Sequence, residues 1–208
     1  NYTQVSKVFD TYNDMMLDTS TYVNGMKLKT LGYHYINDGG GAEYFVTNVQ
    51  NDNEYQVSIG TNLWVELIIK DSANVKQFGA YGDGVNDDSA SIQNAINTGK
   101  NIYFPSSNYL ISNTLLINGR NDWKLDSSEA TITYTGNNYA IEFRTIRNSN
   151  LDIGVISATN GGCISFIGDS SSQYSQYVNI DFNTLNALTN CIYVENNNDC
   201  WISEFRVN

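Results

Sequence analysis

A chain of 208 residues with 22 acidic and 11 basic side chains carries a net charge of −11, and its basic residues do not cluster. That excludes a surface built to track a phosphate backbone, so no nucleic-acid partner is expected. Hydrophobic residues make up 41%, charged residues only 16%, and there is one proline, so the chain can bury a core and suits β structure joined by polar turns. No run of 18 apolar residues exists and the N-terminus lacks a basic region followed by an apolar one. Neither a membrane span nor a signal peptide is therefore visible, and no membrane insertion is expected. Cys163, Cys191 and Cys200 are widely spaced, with no Cys-x-x-Cys and one histidine, His34. This pattern does not support zinc; reduced thiols, as in a cytosol, and neither metal nor cofactor are expected.

Residues 1–70 read as a small mixed α/β module. Asp10 or Thr11 can cap a short helix through Met15, Met16 and Leu17, with Asp14 complementing its N-terminal charge. VNG (23–25) leads into MKLKTLGYHYI, and NDGGG (37–41) precedes AEYFVTNV, a strand pairing around a glycine-rich turn. NLWVELII (62–69) closes the module. The DGGG run has no following helix and no phosphate-loop lysine, which favours a turn. His34, in the alternating GYHYI, reads as a solvated strand histidine.

Residues 71–100 read as a linker and helix cap. VKQFGAYGDGVNDDSASIQNAIN (75–97) concentrates glycines and aspartates as a cation loop would, but Val85 occupies a ligand position and no glutamate stands at the twelfth place. Instead, Asp87 or Asp88 caps a helix over 89–97 in which Ile92, Ala95 and Ile96 form an apolar stripe. That stripe is expected to lie over the open end of the first coil of the C-terminal segment.

Residues 101–208 read as stacked coils. NIYFPSSNYLISNTLLI (101–117) gives short strands around a polar corner, and then the chain repeats. YAIEF, GCISF and NCIYV begin at 139, 162 and 190, alternating with NLDIGVI, YVNIDFN and CWISEFRV at 150, 177 and 200. Strand-like elements at such a period predict a solenoid. Ile141 with Phe143, Ile164 with Phe166, and Ile192 with Val194 would share its inner face. The expected fold is all-β: the first coils of a right-handed parallel β-helix with an N-terminal capping helix, preceded by the mixed module. The last strand stops without a cap, so this stretch is expected to be the N-terminal part of a longer protein.

The order FGA, GDG, DD, short helix, IYFP and NYLI over 75–118 resembles the entry of the pectate-lyase-like right-handed β-helix superfamily. VFDTYNDMM, LKTLGY and NDGGGAEYFV are similar to the module that precedes β-helices in bacteriophage tailspikes and pre-neck appendage proteins. The resemblance implies a homotrimer in the virion, made in the host bacterial cytoplasm. It implies attachment to other virion proteins of head, collar or tail through the N-terminal module. It further implies adsorption to host cell-surface glycan or teichoic acid, or alternatively a polysaccharide depolymerase with its active site on coils after Asn208.

Glycan cleavage calls for two neighbouring carboxylates, an acid and a base or nucleophile, or for a carboxylate with a basic residue for elimination. Aligning Phe182 with Phe205 places Asp181 and Glu204 on the outer face of adjacent coils, with Gly154 one coil earlier. One coil is about 5 Å, which overlaps the ~5–5.5 Å separation of retaining glycosidases. Of the 15 tyrosines, Tyr139, Tyr174, Tyr177 and Tyr193 fall at outward or corner positions. Tyr139, Tyr177 and Tyr193 are the candidates for stacking on sugar rings.

Overall fold

The computed structural model describes residues 7–51, 55–168 and 175–195, and the backbone of 201–207. Tyr174, Cys200 and the side chain of Glu204 lie outside the described residues.

β1 (Lys7–Phe9) leads into α1 (Tyr12–Leu17), and the cap is Thr11 rather than Asp10. The Thr11 hydroxyl accepts the Asp14 N–H at 3.1 Å while the Asp14 carboxylate accepts the Thr11 N–H at 3.0 Å. This reciprocal pair satisfies two donors that a helix start leaves open. The chain returns as β2 (Lys27–Thr30), parallel to β1. β3 (Glu43–Thr47), β4 (Gln56–Gly60) and β5 (Leu63–Leu67) then add antiparallel, in the order β1-β2-β3-β5-β4. Met15, Leu28, Tyr44, Val46, Val65 and Leu67 form the core of this sheet.

The alternation in GYHYI does not make a strand. β2 stops at Thr30, and residues 31–42 wind around Asp38, whose carboxylate accepts the N–H groups of Gly40 and His34 at 2.7 Å, Tyr33 at 3.1 Å and Tyr35 at 3.3 Å. Four backbone donors on one acid outweigh a strand preference that no partner strand supports. His34 consequently leaves its expected place: its Nε2–H donates to the Gly79 carbonyl at 2.9 Å, and its ring stacks on Tyr81 at 3.6 Å. The same loop is tied to the next segment by Asn74 donating to Gly39 O and Gln77 to Gly41 O, both at 3.0 Å, and by Lys76 donating to Asp38 O at 3.2 Å. A Cβ on Gly40 would lie 2.5 Å from the Lys76 carbonyl oxygen, so glycine is required for this close approach.

A partial coil follows: β6 (Ser72–Asn74), a 3₁₀ turn over Val75–Phe78, β7 (Asp83–Asp87), α2 (Ser89–Asn97), β8 (Asn101–Tyr103) and β9 (Asn108–Ile111). Four coils then pair a short strand with a long one: β10 (Leu115–Asn118) with β11 (Lys124–Tyr134), β12 (Tyr139–Arg144) with β13 (Arg147–Ala158), β14 (Gly162–Ile167) with β15 (Gln176–Ala187), and β16 (Ile192–Glu195) with β17 (Trp201–Val207). The short strands stack as β10-β12-β14-β16, the long ones as β8-β11-β13-β15-β17, and all of these contacts are parallel. β11 carries a bulge between Ser127 and Thr131; its first part continues the β8 rung and its second part the β9 rung. The result is a parallel β-helix.

The core is a set of vertical columns. Leu115, Ile141, Ile164 and Ile192 form one, and Ile117, Phe143 and Phe166 another, with Phe143 and Phe166 stacked at 5.1 Å; Val194 continues the second column in register but is 45% exposed. Ala73, Ile102, Leu125, Leu151 and Ile180 form a third. The repeat begins one coil before YAIEF, at β10 and β11. The bulged residues of β11 lengthen that coil and break its likeness to NLDIGVI.

α2 lies across the opening of these columns. Ile92, Ala95 and Ile96 are at most 1% exposed and join the helix core. On its outer side the Gln93 amide acts as a substitute strand: its Oε1 accepts the Leu116 N–H at 2.9 Å and its Nε2 donates to the Leu116 carbonyl at 3.0 Å. β10 is an edge of the short sheet, so these two bonds fill backbone groups that would otherwise invite another strand. Arg120 Nη2 donates to the Ile96 carbonyl at 2.9 Å and holds the other end of α2.

Candidate functional site

The aspartates of the opening loop are consumed by the loop itself. Asp83 accepts the N–H groups of Val85 and Asn86 at 2.9 Å, and its pKa is lowered by those bonds. Asp87 accepts the Ser89 N–H at 2.9 Å and the hydroxyls of Ser89 and Ser112, so it holds the start of α2 and the end of β9 together. Asp88 occupies the N-cap position without capping: its carboxylate turns back to the N–H groups of Tyr81 at 2.6 Å and Gly82 at 3.1 Å. Burial raises its pKa, with Asp83 and Asp87 adding to the effect and the two N–H donors opposing it. Between them Asp87 and Asp88 fix the turn and helix start, while Ile92 and Ile96 face the core.

The outer face of the long sheet carries a polar ladder. In register run Lys124, Asn150 and Asn179, and two residues further along Tyr103, Asp126, Asp152 and Asp181. Lys124 Nζ lies 3.4 Å from Asp126 and 3.0 Å from Asp152, bridging two coils. Hydrogen bonding to Asp152 raises the Lys124 pKa. Burial pushes Asp126 up, but Ser128 and Lys124 outweigh it and hold the carboxyl below its ordinary value. Asn179 Nδ2 donates to Asn150 Oδ1 at 2.9 Å. The backbones of successive rungs lie about 4.8 Å apart.

The pairing of Asp181 with Glu204 does not hold. Backbone register sets Asp181 against Arg206 and Glu204 against Asn179, and one coil earlier Asp181 meets Asp152, not Gly154. Backbone register pairs Phe205 with Ile180 and Val207 with Phe182, two residues away from the phenylalanine alignment, and a shift of two preserves the alternation of faces along a strand. Gly154 instead lies below Asn183, whose Nδ2 crosses it to donate to Ser128 O at 3.1 Å. The neighbours of Asp181 are legible in a signal that a phenylalanine alignment passes over: KLD, NLD and NID at 124–126, 150–152 and 179–181.

Two of the three tyrosines come together. Tyr139 and Tyr193 stack at 5.5 Å on the outer face of the short sheet, where the absence of a Cβ on Gly162 admits the Tyr139 ring. A hydrogen bond to Glu195 raises the Tyr193 pKa. Tyr177 stands apart, 58% exposed, at the start of the long strand β15. Its φ of 53° is left-handed, matching Asn148 at 47° and Asp122 at 51° on the coils before it. Asp and Asn tolerate that conformation, whereas a tyrosine there is strained.

Cys163 is buried, its thiol pushed up to about 12 by desolvation and by Cys191, whereas Cys191 is exposed; both are free thiols. Among the described residues no group of three His, Cys, Asp or Glu side chains is placed to hold a metal ion.

Residues 72–208 match the family model described as rhamnogalacturonase A/epimerase, pectate lyase-like. A curated relative, the plasmin and fibronectin-binding protein A of Streptococcus pneumoniae (strain ATCC BAA-255 / R6), is 30% identical over 102 residues, covering 46% of this chain and 14% of that protein. The tailspike protein of Acinetobacter phage vB_ApiP_P1 superposes with a TM-score of 0.55 at 14% identity, over 97% of this chain and 40% of that one. A tailspike from Acinetobacter baumannii bacteriophage Fri1, a capsular polysaccharide depolymerase, gives a TM-score of 0.47 at 11% identity, over 98% and 52%. The chain thus spans a small part of its curated relative and about half or less of these tailspikes. From the helix cap through every stacked coil, the chain belongs to the rhamnogalacturonase A/epimerase family of pectate-lyase-like proteins.

Proposed function

We propose that this chain is the N-terminal part of a bacteriophage tailspike or appendage protein, a homotrimer that adsorbs to bacterial surface glycan or teichoic acid. The supporting observation is that the likeness to the phage vB_ApiP_P1 tailspike runs through module and coils together, over 97% of the chain. In this reading the five-stranded module attaches to other virion proteins of head, collar or tail. The outer coil faces, with the Tyr139–Tyr193 pair and the Asn/Asp ladder, meet carbohydrate. The alternative within this reading is a polysaccharide depolymerase whose active site is on later coils. A sedimentation or light-scattering mass of three chains, and adsorption to a panel of capsular polysaccharides and teichoic acids that Tyr139→Ala/Tyr193→Ala weakens, are the expected results. A monomer that binds none of them overturns the reading, and polymer bound by the full-length protein without release of reducing ends or unsaturated sugars rejects the enzyme.

A second reading rests on the 30% identity to the streptococcal protein: a bacterial protein that binds plasmin and fibronectin. Capture on immobilised fibronectin or plasmin, with no adsorption to bacterial polymers, would select it.

A further inference from the structure

The charges of the stack are unevenly placed. Residues 104–119, 130–141, 153–168 and 182–194 contain no Asp, Glu, Lys or Arg, although charged residues make up 16% of the chain. Each stretch covers the second half of a long rung, the corner after it and the start of a short strand. Stacking therefore gives the helix one uncharged side. In register on it run Leu110, Thr133, Ser157 and Asn186. Two residues earlier along the same strands, Val155 stands between Thr131 and Thr184. Ile132 and Ile156, which alternate with these positions, are buried, so both columns face outward. Among the described residues, charge lies at the rim of this side. Asp83 and Asp87 pair beneath Asn108 and Leu110, Glu129 is exposed at the bulge, and the first halves of the strands carry Lys124, Asp126, Asp152 and Asp181.

These features narrow the occupant. Neither column carries an aromatic ring on which a sugar could stack. A chain of net charge −11 repels its own copies through any acidic side, and this side is the exception. A centre depleted of charge inside a charged rim is the build of an interface core. Leu188, one residue beyond β15 and 72% exposed, adds apolar surface beside it. The repeat selects the partner. Both columns recur at the rung spacing of about 4.8 Å, so a second stack of the same pitch meets them rung for rung. Short outward side chains also let two such sheets approach to about 10 Å. We propose that the second halves of the long strands are the side through which copies of this chain pack around a threefold axis. This rests on the homotrimer reading, and it leaves the Tyr139–Tyr193 pair and the Asn/Asp ladder open to carbohydrate.

The test uses the whole chain and sedimentation velocity. Ser157→Glu sets like charges against one another at the contact and should yield a monomer, with association weakened by roughly a hundredfold or more and an unchanged circular dichroism spectrum. Ser157→Lys should do the same. Mixing the two variants should restore association, which a folding defect would not. Asn150→Glu, on the charged half of the same strand, should leave the mass at three chains. A wild-type monomer would overturn both this proposal and the homotrimer reading. A trimer that survives Ser157→Glu, that Asn150→Glu disrupts equally, or that mixing the Ser157 variants fails to restore would overturn the assignment of this side and leave the homotrimer standing. An intact Ser157→Glu trimer that no longer adsorbs to polymer would hand the side to glycan instead.

Discussion

The N-terminal module and the stacked coils reach order by different routes. In the module, few apolar side chains are buried and much of the specificity is local: the Thr11–Asp14 cap, the Asp38 carboxylate with its four N–H donors, and the clasp of residues 31–42 onto 74–79. In the coils, the same inner positions recur on each rung, so one column of isoleucines or phenylalanines stabilises several strands at once. The module is therefore vulnerable at single polar groups, and the coils at positions where backbone meets backbone.

The largest effect that would separate the two is expected at Gly154. A Cβ there would overlap the carbonyl oxygens of Ala130, Ser127 and Ser128, all of them backbone, and would block the reach of Asn183 across the bulge. Gly154→Ala should cost about 3 kcal/mol or more in urea unfolding, with loss of the coils while the module keeps its own signals. Equal stability of the variant would show that β11 and β13 can part without penalty.

A smaller loss is expected at Asp38. Burial raises its pKa, but bonds from Gly40, His34, Tyr33 and Tyr35 more than offset this, and the net value is below the ordinary 3.8. Because the folded value is depressed, its stabilisation is complete above 3.8 and is lost as pH falls through the depressed value. Asp38→Asn should destabilise the module by roughly 1–2 kcal/mol at pH 7 and flatten the acid side of its stability profile. An unchanged acid profile would place the acid sensitivity elsewhere.

The smallest effects should be gains. Thr145 has a φ of 52°, while the register that pairs Asn118, Arg144 and Ile167 puts Gly119 before it and Gly168 after it in the same corner. Thr145→Gly should stabilise the coils by about 1 kcal/mol, and Tyr177→Asn by a similar amount, read as a higher melting temperature. If Tyr177→Asn stabilises the protein while weakening adsorption to polymer, the strain at Tyr177 serves binding.

Legibility in the sequence divides along the same line. The inner columns are legible because side chains of one face recur at fixed places: the repeat alone aligns Ile141, Ile164 and Ile192, and helical spacing alone marks the apolar stripe of α2. Local chemistry at Thr11 and Asp14 is legible too, since a capping box is four residues long. The rest depends on contacts distant in sequence. His34 leaves its alternating run because Asp38 and Gly79 offer better partners. Asp88 has the position of a cap, but Tyr81 and Gly82 claim its carboxylate. Aligning Phe182 with Phe205 misplaces Asp181 because an inward pattern of alternating apolar residues is equally satisfied after a slip of two; the KLD, NLD and NID triplets mark its earlier neighbours, whereas the register of β17 on β15 is selected in the folded stack.

The Gln93 amide, set against Leu116, gives the stack a direction. One end of the short sheet is terminated by a side chain that imitates a peptide bond, so further rungs can be laid only on the opposite side. Like a crystal grown from a masked seed, the stack can lengthen by whole coils without any change to the residues that start it. Evolution can therefore vary distal coils, and whatever surfaces they display, over one unaltered mechanical foundation.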